Sequence, residues 1–259
     1  MRFRPCIDIH NGAVKQIVGG SLQDAGDVAR ENFVSRQDAA FFARLYRECQ
    51  IKGGHVILLN PVSSPYYKET KRQALAALSA YPGGLQAGGG ITPENASVFL
   101  EAGASHVIVT SYVFSDGQIQ YDRLKTLLKK VGKDHLVLDL SVRSKDGRYY
   151  IVTDRWQKYT SLELTEQTLE ELSSYCDEFL IHAVDVEGKS AGIEEPVAKL
   201  LGGWGKIPVT YAGGVHSFED LDLLKKLGGG NVDVTIGSAL DLFGGNMSFS
   251  DVLSYMERT

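Results

Sequence analysis

Short apolar runs alternate with helical patterns along the whole chain, and this alternation limits the possible folds more than any other feature. It occurs eight times in 259 residues, so that one strand and one helix recur about every 32 residues. The apolar runs are nearly continuous, as expected for strands of a parallel sheet that is covered on both faces. Eight such units predict an α/β protein with a single (βα)8 barrel, the TIM barrel. The competing fold, a doubly wound open sheet, usually carries a Gly-x-Gly-x-x-Gly motif after its first strand, and the chain has none there.

The predicted elements are spread evenly over the chain. In the first predicted helix, Asp38 is placed to cap the N-terminus, and Phe41, Phe42, Leu45 and Cys49 form one apolar stripe. Strands are predicted at residues 3–9, 55–59, 84–87, 106–109, 135–140, 178–182, 207–211 and 232–236. Helices are predicted near residues 38–51, 69–80, 93–102, 120–131, 165–175, 194–202, 217–227 and 249–257.

The two halves of the chain resemble each other. Gly-Gly turns follow one predicted strand in each half, and a serine follows the next predicted strand in each half. The interval from Gly90 to Ser111 is 21 residues, and the interval from Gly214 to Ser238 is 24 residues. We interpret the chain as one domain, residues 1–259, made by duplication of a half-barrel, with halves at about 1–132 and 133–259. Chance similarity between barrel strands is the alternative.

Glycine is over-represented, with 28 residues where about 18 are expected from its average frequency of roughly 7%. No Gly-X-Y period accompanies it, which excludes collagen. Glycine lets a backbone approach an anion closely, and the N-terminus of a following helix favours negative charge. Because strand-to-helix turns form the active-site face of a barrel, we expect two phosphate sites that face each other, and a substrate with a phosphate at each end. Plain tight turns are the alternative. The predicted phosphate contacts are Gly89, Gly90, Thr110 and Ser111 in the first half and Gly213, Gly214, Gly237 and Ser238 in the second.

Two aspartates end predicted strands at corresponding places in the two halves. Asp8 lies in the first predicted strand and Asp139 in the fifth, and these strands are opposite each other in an eight-stranded ring. Both side chains are then expected in the barrel mouth, between the two phosphate sites. Two carboxyl groups whose environments separate their pKa values can divide proton transfer between an acid and a base. A solvated loop aspartate or a helix N-cap is the alternative for each.

Other polar residues near predicted strand ends are weaker candidates. His182 ends the sixth predicted strand and either orients a catalytic group or is a buried, hydrogen-bonded residue. Trp156 lies in a polar segment without an obvious core role and can stack on a heterocyclic base. Further candidates for substrate contacts are Lys15 and Gln16, for which a surface hairpin is the alternative, Arg143 and Arg155 in the stretch 141–160, and Asp185.

Charge and cysteine content limit the binding partners and the cellular compartment that we expect. The net charge is −5 and no long basic run occurs, so neither nucleic acid nor a membrane is an expected partner. No His and Cys cluster has metal-ligand spacing, so a metal site is not expected. The three cysteines, Cys6, Cys49 and Cys176, are widely spaced and odd in number, which indicates reduced thiols in the cytoplasm. Without a long apolar surface stripe, a monomer is expected.

In combination, these motifs resemble those of the histidine-biosynthesis barrels over essentially the whole chain. The resemblance rests on Asp8 in Arg-Pro-Cys-Ile-Asp-Ile-His-Asn-Gly-Ala-Val-Lys at 4–15, on Asp139, on both Gly-Gly turns, and on Thr-Ile-Gly-Ser at 235–238. The segments 146–158 and 182–189 are similar to the eukaryote-like branch of the ProFAR isomerases (HisA type). ProFAR is phosphoribosylformimino-aminoimidazole carboxamide ribotide, which carries a phosphate at each end.

The resemblance implies an Amadori rearrangement, in which an aminoaldose becomes an aminoketose without a cofactor or a metal. It implies that Asp8 is the general base, Asp139 the general acid and His182 a third catalytic residue. Two positions depart from the bacterial pattern, which has threonine where His182 stands and often arginine where Thr92 stands.

Two other functions stay open. Pro-Cys-Ile-Asp at 5–8 is also similar to the sister cyclase, the HisF-type subunit of imidazole glycerol phosphate synthase, which uses ammonia and partners a glutaminase. Trp156 and the loop at 185–188 argue against that function. The third possibility is a phosphosugar-binding barrel without catalytic activity.

Overall fold

The computed structural model describes residues 1–17, 21, 29–153, 156–187 and 192–258. Arg155, one of the candidate substrate contacts, lies outside these residues. The strands, in chain order, are β1 (Cys6–His10), β2 (Ala13–Ile17), β3 (Glu31–Val34), β4 (Gly54–Leu58), β5 (Leu85–Gly88), β6 (Val107–Val109), β7 (Phe114–Ser115), β8 (Gln118–Ile119), β9 (Leu136–Lys145), β10 (Arg148–Thr153), β11 (Lys158–Glu163), β12 (Glu178–Ala183), β13 (Val209–Ala212) and β14 (Val232–Thr235). The helices are α1 (Ala39–Glu48), α2 (Tyr67–Ala80), α3 (Ala96–Glu101), α4 (Tyr121–Val131), α5 (Glu166–Ser173), α6 (Glu195–Trp204), α7 (Phe218–Leu227) and α8 (Phe249–Glu257).

Eight strands of the described chain form a parallel barrel whose strand order follows the sequence: β1, β4, β5, β6, β9, β12, β13 and β14. The ring closes between its first and last strands, because Phe3 bridges Val234 in parallel. The Arg4 N–H donates to the Val234 carbonyl at 2.8 Å, and the Val234 N–H donates to the Arg2 carbonyl at 2.9 Å. The predicted (βα)8 barrel is confirmed, and β1 and β9 lie on opposite sides of the ring as expected.

The helices surround the barrel, and each one given above overlaps a predicted helix. The cap of α1 forms as predicted, because the Asp38 carboxylate accepts the Phe41 N–H at 2.7 Å. The predicted apolar stripe of α1 is partly wrong, since Phe42, Ala43 and Tyr46 are buried whereas Phe41 is 38% exposed. The described residues contain no helix with the length and apolar composition needed to cross a membrane.

Three β-hairpins in the described residues add strands to the eight predicted ones, at the carboxyl ends of β1, β6 and β9. Each turns through a two-residue Asx-Gly loop: residues 11–12 join β1 to β2, residues 116–117 join β7 to β8, and residues 146–147 join β9 to β10. Both residues of each loop have positive φ angles, as a type I′ turn requires. In the stretch 141–160 no strand was predicted, but most of its described residues are β-structure, because β9 continues beyond the barrel and pairs with β10.

Candidate active site

Two cavities lie side by side at the carboxyl ends of the barrel strands. The larger has a volume of about 250 Å³ and lies on the side of the first half of the chain, while the smaller, of about 50 Å³, lies on the side of β12, β13 and β14. They share four lining residues: Asp8, Gln16, His182 and Glu187. The shared residues therefore form the boundary between the two spaces.

The predicted phosphate contacts of the first half of the chain line one cavity, and those of the second half line the other. Gly89, Gly90, Thr110 and Ser111 line the larger cavity, and Gly213, Gly214, Gly237 and Ser238 line the smaller one. The structure thus brings both predicted sets to the barrel mouth, with the predicted catalytic residues Asp8 and His182 between them.

Packing against the preceding strand explains why two of these residues are glycines. Gly89 has φ +97°, and a Cβ there would lie 2.1 Å from the Leu58 carbonyl oxygen at the end of β4. Gly213 has φ +123°, and a Cβ there would lie 2.7 Å from the Ala183 carbonyl oxygen at the end of β12. The two turns approach equivalent strands of the two halves in the same way. Gly90 differs, because a Cβ there would meet no atom within 4 Å.

The helix N-termini after the turns already have acceptors, which differs from the expectation that they would face the phosphates. The Asp220 carboxylate accepts the N–H groups of His216 at 2.9 Å and Ser217 at 3.2 Å. Before α3, the Asn95 side-chain oxygen accepts the Thr92 N–H at 2.9 Å. Among the described residues no Lys or Arg lines either cavity. An anion would therefore be bound by turn N–H groups and hydroxyls.

Asp8, near the end of β1, is a partly buried carboxyl group on the boundary of the cavities. Gln16 Nε2 donates to its Oδ2 at 3.3 Å and also contacts Cys6 Sγ at 3.6 Å. Burial and then the charge of Glu187 raise the pKa of Asp8 to about 7, although His182 and the Gln16 hydrogen bond act in the opposite direction. A carboxylate that titrates near neutral pH is suited to accept a proton.

Asp139 and His182 form a pair on adjacent strands β9 and β12. His182 Nδ1 lies 3.1 Å from Asp139 Oδ1. Burial disfavours the charged imidazole, but Asp139, through its charge and this hydrogen bond, together with Glu187 and Asp8, raises the pKa of His182 to about 9. The imidazole is therefore held in its charged form at neutral pH.

Glu187 is a site residue that the sequence reasoning missed. It follows β12 and lines both cavities, and a Cβ on Gly213 would lie 3.3 Å from Glu187 Oε2. Burial raises its pKa, with the charge of His182 acting in the opposite direction. Only its place five residues after His182 in the strand-end loop could have indicated it.

Trp156 lines the larger cavity, whereas Arg143 and Asp185 line neither cavity and instead fix the position of Trp156. Arg143 Nε pairs with Asp185 Oδ1 at 2.9 Å, and Arg143 Nη1 donates to the Trp156 carbonyl at 3.3 Å. The Trp156 indole N–H donates to Ser141 Oγ at 3.0 Å. Trp156 has φ +68°, which is unusual for a residue other than glycine.

Lys15 does not line either cavity, but its neighbour Gln16 does. Successive side chains of a strand point to opposite faces, so only one of the two can face the barrel mouth from β2. Lys15 forms an ion pair with Glu31 across the β2–β3 hairpin. The segment pairs as a hairpin, but it is not the surface hairpin of the alternative, because Lys15 and Gln16 are both buried. Among the described residues, no group of three or more His, Cys, Asp or Glu side chains is arranged to hold a metal ion.

Comparison with known proteins places this chain in a known family. A family model described as "Histidine biosynthesis protein" matches residues 2–247. A chloroplastic relative from Medicago truncatula is 53% identical over 259 residues, which cover 98% of this chain and 81% of the relative. Relatives from Neurospora crassa (50% identical, 94% of this chain, 93% of the relative) and Saccharomyces cerevisiae (44% identical, 99% and 98%) are similar over nearly their full length. All three are named 1-(5-phosphoribosyl)-5-((5-phosphoribosylamino)methylideneamino)imidazole-4-carboxamide isomerase, the isomerase of ProFAR. Because the family model matches nearly the whole chain, the chain belongs to the histidine biosynthesis protein family.

Proposed function

We propose that this protein catalyses the Amadori rearrangement of ProFAR to its ketose isomer. The observation that carries the proposal is the placement of Asp8 and His182, the latter paired with Asp139, at the boundary between two cavities that are each lined by a glycine turn and hydroxyl groups. A substrate with a phosphate at each end matches two anion sites that flank one group of titratable side chains. The names of the relatives support the same reaction.

The rearrangement needs an acid and a base but no change in oxidation state of the substrate as a whole. An acid protonates the ring oxygen of the ribose, and the ring opens to a Schiff base. A base then removes the proton on C2′, and the resulting enolamine becomes the ketose. Asp8 is proposed as the base, because its raised pKa keeps it near the operating pH. The acid is proposed to lie in the Asp139–His182 pair.

Substrate binding is proposed to use the turn residues on both sides of this group. One phosphate contacts Gly89, Gly90, Thr110 and Ser111, and the other contacts Gly213, Gly214, Gly237 and Ser238. Trp156 is proposed to stack on the imidazole ring, and its position in the lining of the larger cavity supports this role. Arg143 and Asp185 are proposed to act through Trp156 and not by direct contact with the substrate.

The test is to give the purified protein ProFAR and follow the absorbance change as the ketose forms. We expect turnover by the unmodified protein and a loss of at least about 10²-fold in Asp8→Asn, from the usual contribution of a general base. Turnover of the ketose with ammonium salts, and none of ProFAR, would select the cyclase instead. Tight binding of ProFAR without conversion would select a non-catalytic barrel.

We also propose that the protein acts as a cytoplasmic monomer, with the whole chain forming one duplicated barrel domain. The cysteines favour a reducing compartment, and Cys6 and Cys176 are buried in the core. Light scattering at micromolar concentration would test the monomer, and the position of a fluorescently tagged chain in its own cells would test the compartment.

A further inference from the structure

The turn between β1 and β2 contains Asn11–Gly12, the one Asn-Gly pair in the sequence. In such a pair the main-chain nitrogen of glycine can attack the side-chain carbonyl carbon of asparagine, because glycine has no side chain to hinder the approach. The new C–N bond closes a succinimide ring, and the amide group of asparagine leaves as ammonia. Water then opens the ring at either carbonyl and gives aspartate or isoaspartate. Asn11 is therefore a candidate site of covalent modification by deamidation.

The fold explains why this reactive pair stands here. Asn11 has φ +51° and Gly12 has φ +76°, and a two-residue turn of this type favours Asn-Gly. The turn packs against α2, where a Cβ on Gly12 would lie 2.5 Å from Glu69 Cγ. A side chain at position 12 would therefore have to displace Glu69. The turn geometry requires the pair, and the reactivity of the pair comes with it.

Asn60, in the loop after β4, holds the carbonyl group that would be attacked. Its Nδ2 donates to Asn11 Oδ1 at 2.7 Å, and the Asn11 N–H donates to Asn60 Oδ1 at 2.7 Å. Asn60 is buried, which strengthens both bonds. The ring closes only if the side-chain carbon of Asn11 moves onto the Gly12 nitrogen. The bonds to Asn60 oppose this movement.

Thr70, on α2, holds the nitrogen that would attack. The Gly12 N–H donates to Thr70 Oγ1 at 3.1 Å, and the Thr70 hydroxyl donates to Asn60 Oδ1 at 2.7 Å. Thr70 is fully buried. The Gly12 nitrogen must lose its proton as the ring closes, and a hydroxyl group is too weak a base to take it. Both reacting groups are thus held by residues outside the pair.

Asn60 is itself protected from the same reaction by its neighbour. The next residue is Pro61, whose nitrogen carries no hydrogen. Attack by that nitrogen cannot end in a neutral succinimide ring. The residue that restrains Asn11 is therefore chemically more durable than the pair that it restrains.

We propose that Asn11 is a site of spontaneous deamidation and that Asn60 and Thr70 suppress this modification in the folded protein. The reaction consumes one water molecule and releases one ammonia molecule for each asparagine, and it needs no enzyme. It proceeds when the turn opens locally and frees Asn11 from Asn60 and Gly12 from Thr70.

The two products differ in their effect on the site. Isoaspartate adds one carbon to the main chain of the turn, so the pairing of Ile9 with Val14 across β1 and β2 loses its register. Gln16, which donates to Asp8 at 3.3 Å, lies further along β2 and is displaced with it. Aspartate keeps the length of the main chain, and Asp-Gly suits the same turn. The isoaspartyl form should therefore lose activity while the aspartyl form keeps it.

Peptide mass spectrometry measures the rate of deamidation at Asn11 in protein incubated at pH 8, in buffer and in guanidinium chloride. The folded protein should react at least about 10²-fold more slowly than the denatured chain, because the reacting groups must first lose their hydrogen bonds. Thr70→Val removes the hydroxyl group at nearly constant shape, so folded Thr70→Val should react at least about fivefold faster than the unmodified protein. Thr126→Val is the matched control, since it removes an exposed hydroxyl group on α4 and should leave the rate unchanged.

Asn60→Asp tests the other half of the restraint and also serves if Thr70→Val does not fold. It keeps the oxygen that accepts from Asn11 and Thr70 but has no N–H for Asn11 Oδ1, so it should also react at least about fivefold faster than the unmodified protein. Arg4→Met controls for global unfolding, because it removes a buried ion pair with Asp233 at the opposite end of the barrel. It should leave the rate at Asn11 unchanged.

Each outcome decides the proposal. Equal rates in the folded protein and the denatured chain would show that the fold does not suppress the reaction. If Thr70→Val or Asn60→Asp, when folded, reacts no faster than Thr126→Val, that residue does not restrain the pair and the proposal is wrong.

The effect on activity rests on the proposed isomerase function, whereas the modification itself does not. In aged protein, kcat/KM for ProFAR should fall in proportion to the isoaspartyl fraction, and freshly prepared Asn11→Asp should stay within about twofold of the unmodified protein. If the protein does not convert ProFAR, the isomerase function fails, and the mass measurement still decides the modification.

Discussion

A carboxyl group that is shielded from water next to another carboxyl group destabilises the folded state once it ionises, and Asp8 is such a group. Burial and Glu187 raise its pKa from 3.8 to about 7. The folded protein therefore holds this proton more tightly than the unfolded chain, and its stability falls as the pH rises from about 4 to about 7. Above pH 7, where Asp8 is ionised in both states, the loss of stability has reached its full size.

Asp8→Asn should therefore separate stability from activity. The amide removes the ionised carboxylate, so we expect the unfolding midpoint at pH 8 to rise by about 2–4 °C, while kcat/KM falls at least about 10²-fold. At pH 4, close to the pKa of this group in the unfolded chain, the gain should largely vanish. Calorimetry at the two pH values measures this, and an equal gain at both would contradict the assigned pKa.

Glu187 predicts that a negative charge limits the affinity for anions at the second glycine turn. Its carboxyl group lies against Gly213, and burial raises its pKa. Glu187→Gln removes the charge that this carboxyl group carries when ionised, so it should strengthen sulfate binding in the smaller cavity on the order of tenfold at pH 8. Sulfate is the probe because it is fully ionised at this pH.

Titration calorimetry with sulfate at pH 8 compares the unmodified protein with Glu187→Gln. Glu195→Gln is the matched control, since it changes the net charge equally at an exposed position on α6 and should leave the sulfate affinity unchanged. Equal sulfate affinities in Glu187→Gln and the unmodified protein would show that Glu187 does not affect this anion site.

At the scale of elements, the spacing of apolar residues predicted the barrel strands and helices, but it did not predict the hairpins above the barrel. The residues next to the turn of the β9–β10 hairpin are polar and exposed, and the short apolar run 149–152 in β10 was missed because the stretch around it is polar. The Asx-Gly turns at 11–12, 116–117 and 146–147 were the available signal, and they account for three glycines of the surplus. The Trp156 contact with Ser141 depends on how this hairpin folds over the barrel mouth, which no local pattern specifies.

The role of the first glycine turn in substrate binding can be tested with two glycine variants that introduce similar backbone strain. Gly90 and Gly83 have φ values of +67° and +71°, and a Cβ at either would meet no atom within 4 Å. Alanine at each should therefore lower stability by a similar amount, about 1 kcal/mol. Only Gly90 lines a cavity, so only Gly90→Ala should raise the KM for ProFAR, by at least about fivefold. Equal KM values for the two variants would show that the first turn does not contact the substrate.

At the scale of the whole molecule, the barrel separates its proposed chemistry from a buried ionic network at the opposite end. Arg4, just before β1, pairs with Asp233 on β14 at 2.8 Å and lies 3.9 Å from Glu178 on β12. Glu178 also accepts hydrogen bonds from Gln86 at 3.0 Å and Thr210 at 2.9 Å. Residues at the amino ends of barrel strands typically serve stability. The sequence showed these residues as single polar positions, and only the closed ring brings them together.

Arg4→Met should weaken the fold without affecting the reaction. It leaves the buried carboxyl groups of Glu178 and Asp233 without their buried cation, so we expect a loss of about 3 kcal/mol in the free energy of unfolding, with kcat within twofold. Arg2→Met is the matched control, because Arg2 also bonds Asp233, at 3.1 Å, but its side chain is 69% exposed and should contribute less than about 1 kcal/mol. Denaturant unfolding and kcat, both measured where each variant is fully folded, provide the comparison. Equal losses for the two variants would mean that burial does not strengthen the Arg4 pair, and a fall in kcat for Arg4→Met would mean that the two ends of the barrel are coupled.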